Sequence, residues 1–194
     1  NKLNQITTQM KNSIIAILIG AILIMAYQTL SWMMLPIHAS SHKYTPMEDS
    51  LIQSMSGLET GVYFLPGEEP GASKEEIMAK REASIGKPWA ILSYHEKMEM
   101  NMAKSVGLGL LINIIIAWLI VYLIQSGNIV GKNNILRTTM LIGFITIFTT
   151  TIMEWNWFST PMHNMTGDIL DQIIISLILG LWLGYYFSRK PKVN

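Results

Sequence analysis

Hydrophobic positions are gathered into four long apolar runs, separated by polar stretches of very unequal length. The runs cover residues 13–35 (SIIAILIGAILIMAYQTLSWMML), 106–124 (VGLGLLINIIIAWLIVYLI), 138–158 (TTMLIGFITIFTTTIMEWNWF) and 169–187 (ILDQIIISLILGLWLGYYF). A bilayer core of roughly 30 Å takes about twenty apolar residues in helical form, so each run predicts a transmembrane helix. The first run is long for a signal-peptide core and no A-x-A site follows it, so a retained anchor is expected.

The stretch between the first two runs is too long for a plain loop and carries its own element signals. GVYFLP, from Gly61, predicts a short strand ended by proline. PGASKEEIMAKREAS predicts a helix with Ser73 at its N-cap and Glu76 three residues on, the capping-box spacing. Gly86 and Pro88 stop that helix, and WAILSYH, from Trp89, predicts a second strand. The preceding LPIHASSHKYTPMED, with Pro36 and Pro46, predicts irregular chain, and the pairing sense of the two strands is left open. The expected fold is therefore an all-α membrane protein of four transmembrane helices with a small α/β extracytoplasmic insert between the first two. Its expected divisions are 1–35, 36–104 (the cap), 105–125, 126–137, 138–158, 159–168, 169–187 and 188–194. The modest apolar face of the cap calls for support from the spans or from another subunit.

Composition agrees with this class. Half of the 194 residues are hydrophobic and 14% are charged, against about 25% charged in soluble domains. The absence of cysteine removes disulfides, thiolate zinc sites, iron–sulfur clusters and cysteine nucleophiles.

Charge distribution sets an expected orientation. Lys2 and Lys11 precede the first span, Lys132 and Arg137 lie between the second and third, and Arg189, Lys190 and Lys192 follow the fourth. All thirteen acidic residues fall in the other two connections or at their margins. By the positive-inside rule both termini are expected in the cytoplasm, with residues 36–104 and 159–168 outside. Trp32, Trp155 and Trp157 at one boundary and Tyr122, Tyr185 and Tyr186 at the other fit interfacial belts. Trp118 and Trp182 lie deeper, against helices or lipid.

Small residues offer close-packing faces. Ser176, Gly180 and Gly184 recur every fourth position in the fourth span, and Ala16 and Gly20 do so in the first. Such stripes let helix backbones approach within one bundle or against a partner subunit. Thr149, Thr150 and Thr151 are tolerated in a span because their hydroxyls bond back to helix carbonyls. No charge sits mid-span and no proline interrupts a span, which argues against an ion path. Glu154, Asp168 and Asp171 are expected at the ends of spans three and four, the two aspartates as first-turn partners of the helix dipole. The functional alternative is a cluster of three acids that binds a cation or a basic partner.

Candidate chemistry centres on YHEKMEMNM, residues 94–102. Thioethers select Cu(I) and imidazole suits copper in both oxidation states. In extended chain Met98, Met100 and Met102 share one face, and PMHNM adds His163 and Met165 on the same expected side. His95, Met98, Met100, Met102, His163 and Met165 are thus a candidate copper set, against the plainer use of methionine as a flexible filler at a polar-to-apolar transition. No nucleotide-binding glycine loop, H-E-x-x-H or G-x-S-x-G motif is present. Basic residues are too few and scattered for nucleic-acid binding.

WMMLPIH, GVYFLPG and GKPWAILSYHEKMEM, spread over residues 32–102, resemble a family of small bacterial inner-membrane proteins. The resemblance implies a multi-pass protein of the bacterial inner membrane and no activity. The expected function is a non-catalytic accessory subunit, with lipid and other membrane subunits as partners and no resident cofactor. A respiratory complex is the partner class to test first. The alternative is an extracytoplasmic copper-binding or metallocentre-assembly protein.

Overall fold

The computed structural model describes residues 2–39 and 41–189; Lys190 and Lys192 of the basic tail lie outside the described residues. The chain forms α1 (Lys2–Met33), a 3-10 turn (Pro36–His38), α2 (Glu48–Ser54), β1 (Gly61–Leu65), α3 (Lys74–Ser84) and β2 (Ala90–Tyr94). It continues as α4 (Met102–Ser126), α5 (Lys132–Ile147), a π-helical turn (Phe148–Ile152), α6 (Met153–Phe158) and α7 (Met162–Ser188). Four helical segments are long and apolar enough to cross a membrane: Met10–Met33, Met102–Ser126, Lys132–Phe158 and Met162–Ser188. The chain divides into two compact units, residues 1–43 with 101–194, and residues 44–100.

In the helical unit the spatial order is α4–α1–α7–α5, with only slight contact between α4 and α5. The two central helices therefore carry the packing. Ala16 and Ile24 of α1, Val121 of α4, Ile135 of α5 and Leu179 and Leu183 of α7 meet in one apolar core.

Close approach explains the small residues. On α5, Ile135, Thr139, Gly143 and Ile147 are buried at every fourth position, opposite Ser176, Gly180 and Gly184 of α7. A methyl group on Gly143 would overlap the Ser176 hydroxyl, and one on Gly180 would overlap that of Thr139. One on Gly184 would lie 3.2 Å from the Lys132 carbonyl oxygen. Ala16 and Gly20 of α1 are buried too, and a methyl on Gly20 would meet Leu179 Cδ1 at 2.8 Å. These stripes thus lie on seams within the bundle, where bare backbone maximises dispersion contact between helices that lipid does not drive together.

Polar pairs fix the seams further. Asn113 Nδ2 donates to Gln28 Oε1 at 2.7 Å and Gln125 Nε2 donates to Ser13 Oγ at 2.7 Å, both between α4 and α1. Trp182 Nε1 donates to the Ala16 carbonyl at 2.9 Å, tying α7 to α1. Trp118, by contrast, is exposed.

Several expected boundaries move. Helix α5 starts at Lys132 and α7 at Met162, so the connections shrink to residues 127–131 and 159–161. PMHNMTGD reads as loop because it is polar, yet Pro161 sits at the N-cap and the residues after it are helical. Asp168 and Asp171 are consequently not in the first turn of their helix; Asp171 lies more than two turns inside. The third span is continuous but changes register in the π turn. There Thr149 Oγ1 donates to the Ile145 carbonyl and Thr150 Oγ1 to that of Thr146, both at 2.7 Å. Hydroxyls of this kind satisfy carbonyls that a widened turn leaves poorly paired.

In the 44–100 unit, β1 and β2 pair antiparallel in the register Gly61↔Tyr94 to Leu65↔Ala90, with α3 in the connection between them. The capping box of α3 is formed: Glu76 N–H donates to Ser73 Oγ at 3.2 Å and Ser73 N–H donates to Glu76 Oε2 at 2.8 Å. The Ser73 N–H, and with it the Ser73 hydroxyl, holds the Glu76 carboxyl below the usual carboxylate range. The stretch before β1 holds α2, which the prolines and polar residues had hidden. No side chain of α2 or α3 is fully buried, so this unit has little core of its own.

Candidate functional site

Buried polar side chains meet at the junction of α1, the 3-10 turn and α7. Tyr27 and Ser31 are four residues apart on α1 and so share a face. Leu35 and Pro36 end the run of α1, and the 3-10 turn carries His38 back over the helix end. Gly167, Asp168 and Asp171 come from α7.

Asp171 is the hub. Its Oδ1 accepts from Tyr27 OH at 2.9 Å and from Ser31 Oγ at 2.6 Å. Its Oδ2 lies 3.0 Å from His38 Nε2. A carboxylate only accepts, so Nε2–H is the donor in that bond. All four side chains are buried, and three donors on one carboxylate supply what burial takes away in hydration. The alternative reading of Asp171, as one of three surface acids with Asp168 and Glu154, does not hold: it is buried and accepts from three intramolecular donors.

His38 is fixed on every side that the fold supplies. Trp32 stacks on its ring at 3.9 Å with 8° between the planes. Gly167 lets the ring rest on bare backbone, since a methyl there would lie 2.6 Å from Nδ1. Nδ1 itself is buried and makes no hydrogen bond. The nearest acid is Asp168, Oδ1 at 4.0 Å, with its side chain 52% exposed. Asn164, one turn earlier on the same face of α7, also has a buried Oδ1 without a hydrogen-bond partner.

The candidate copper residues are distributed differently. His95, Met98 and Met100 follow β2 in the 44–100 unit, whereas Met102, His163 and Met165 belong to the helical unit. Met98 and Met100 are exposed in irregular chain and Met102 opens α4, also exposed. Within the helical unit His163 lies at the exposed start of α7, while Met165 is turned into the interior. Among the described residues, no group of three or more His, Cys, Asp or Glu side chains gathers around one metal position.

The Tyr27, Ser31, Trp32, His38 and Asp171 grouping was missed from sequence. Its one local signal was an acid inside an apolar run, with Tyr27 and Ser31 at helical spacing in another. No protein-family model, curated protein or solved structure matches the chain.

Proposed function

We propose that the chain is a non-catalytic accessory subunit of a larger membrane assembly. The observation that carries this is the surface of the 44–100 unit. Val62, Ile85 and Trp89 are each more than half exposed there, on a unit with little core of its own. Lipid covers apolar side chains on the spans, but a segment between spans needs another cover, and a protein partner supplies it. The buried polar groups at the α1–α7 junction support the same role. Asp171 spends both oxygens on joining three segments, an arrangement that fixes one geometry for the start of the chain leading into the 44–100 unit.

The charge distribution and the resemblance of residues 32–102 favour a bacterial inner membrane. Both chain ends are then cytoplasmic and the 44–100 unit lies outside, since an even number of crossings returns the chain to its starting side. Purification in a mild detergent from the native membrane tests the proposal. Stoichiometric co-purification of other membrane subunits is expected, with respiratory-chain components the first to look for. An isolated monomer refutes it.

A further inference from the structure

We propose that His38 is a proton-operated clasp between the 3-10 turn and α7: a proton taken up at Nδ1 adds a bond to Asp168 to the standing bond to Asp171. The two aspartates are three residues apart on α7 and so lie on one face. A different ring nitrogen of His38 is turned to each. Nε2–H donates to Asp171 Oδ2 at 3.0 Å, which leaves Nδ1 of the neutral ring as a bare lone pair. That nitrogen is buried without a hydrogen-bond partner among the protein groups, and its nearest acid is Asp168, Oδ1 at 4.0 Å. Two acceptors thus stand opposite each other with no hydrogen between them.

A proton on Nδ1 relieves two costs at once. A buried polar atom without a partner is unfavourable, and like charges at this helical spacing repel. Imidazolium carries an N–H on both nitrogens, so it bonds Asp171 through Nε2 and Asp168 through Nδ1, and its charge lies between the two carboxylates. A charge-assisted N–H···O bond closes to about 2.7–2.9 Å, and the half-exposed Asp168 side chain covers the difference. From α1, Tyr27 faces the same group, its phenol donating to Asp171. Trp32 stacks on the ring and Gly167 lies against it, and neither carries a charge. Imidazole ordinarily changes charge between about pH 5 and 8. The second bond exists only with the proton on, so it is gained as pH falls and lost as pH rises. It acts on the 3-10 turn, where the chain leaves α1 toward residues 44–100. In the orientation proposed above the protons come from outside the cytoplasm, although the clasp itself works on either side.

The test uses the full chain in detergent between about pH 8 and 5. NMR shifts of the ring nitrogens, with His38 assigned from His38→Gln, read each nitrogen separately. Nε2 is expected to carry hydrogen throughout, and Nδ1 to gain it as pH falls. The Ala39 and Ser41 amides donate to the Pro36 and His38 carbonyls and so report on the turn. Their exchange, relative to intrinsic rates, is expected to slow about tenfold in acid, the worth of a charge-assisted bond. Asp168→Asn removes a half-exposed carboxylate and none of the Asp171 bonds; it is expected to fold as the wild type does and to lose the slowing. Changing His42, His95 and His163 together to Gln keeps it. Nδ1 still without hydrogen at about pH 5 overturns the proposal. So does an equal response by wild type and Asp168→Asn, or a response lost when only the other three histidines are changed.

Discussion

Asp171 and His38 stand 133 positions apart in the chain and 3.0 Å apart in the fold, Oδ2 to Nε2, at the buried junction of α1 and α7. Removing one member of a buried hydrogen bond leaves the other unsatisfied, at about 1–3 kcal/mol per group. Asp171→Ala strands three donors and is therefore expected to destabilise the helical unit by about 3 kcal/mol or more. His38→Ala costs less, because Tyr27 and Ser31 still donate to Asp171. The double variant should cost clearly less than the sum. Unfolding in detergent, followed through a double-mutant cycle, reads this directly; additive losses contradict the pairing.

Gly167 carries the imidazole on bare backbone. Gly167→Ala puts a methyl group 2.6 Å from His38 Nδ1, so ring or helix has to move. Overpacking of this kind costs about 1–3 kcal/mol. Gly107 is the internal control, because a methyl there meets nothing within 4 Å. Gly107→Ala should be neutral or stabilising by up to about 1 kcal/mol, as helix propensity dictates. Thermal unfolding of the two variants side by side separates steric from propensity effects.

The α5–α7 seam gives a third prediction. Gly180 faces Thr139 and Leu136 with no room for a side chain. Gly180→Val is expected to force the two helices apart and lower stability by about 1–3 kcal/mol. A paired Thr139→Gly change restores part of it. Cross-linking yield between cysteines introduced on α5 and α7 measures the separation.

In the 44–100 unit, Ser73→Ala removes the cap of α3 and is expected to cost about 1 kcal/mol locally. The pH dependence follows from Glu76, whose carboxyl titrates below its ordinary range because Ser73 N–H and Oγ bond to the charged form. A carboxyl with a lowered folded value stabilises above its unfolded value and loses that contribution as pH falls through the folded one. Amide exchange across Lys74–Ser84 should therefore be protected at neutral pH and lose protection, relative to intrinsic rates, only in acid. Ser73→Ala should weaken that pH dependence without abolishing it, because the backbone N–H of residue 73 still donates to Glu76.

Orientation is open to labelling because the chain has no cysteine. In spheroplasts, Glu96→Cys is expected to react with a membrane-impermeant maleimide and Asn133→Cys only after permeabilisation. The opposite pattern contradicts the assignment of both chain ends to the cytoplasm.

How much of this was legible in the sequence depends on the range of the interaction. The four spans, the capping box at Ser73 and Glu76, and both short strands are local patterns; the cap and strands appear at the expected places, and the spans appear with several starts moved earlier. The stripe Ser176, Gly180 and Gly184 was visible as spacing, although only the fold shows α5 lying against it. The start of α7 was misplaced because polar residues such as His163 and Asn164 resemble a loop when an apolar run is the criterion. That error hid the depth of Asp171. Its partnership with Tyr27, Ser31 and His38 has no periodic signature at all, since it joins segments from opposite ends of the chain. The π turn was equally silent, because one widened turn barely disturbs an apolar pattern.

Membership of this chain in a larger assembly, as proposed, is open to a direct test. A tagged copy expressed at native level and extracted in mild detergent tests it, with native mass spectrometry of the purified material. A defined complex containing other membrane subunits in fixed stoichiometry is the expected result. Changing Val62, Ile85 and Trp89 together to polar residues should release this chain from it without unfolding α1–α7. A wild-type chain recovered only as a monomer in lipid and detergent would contradict the account.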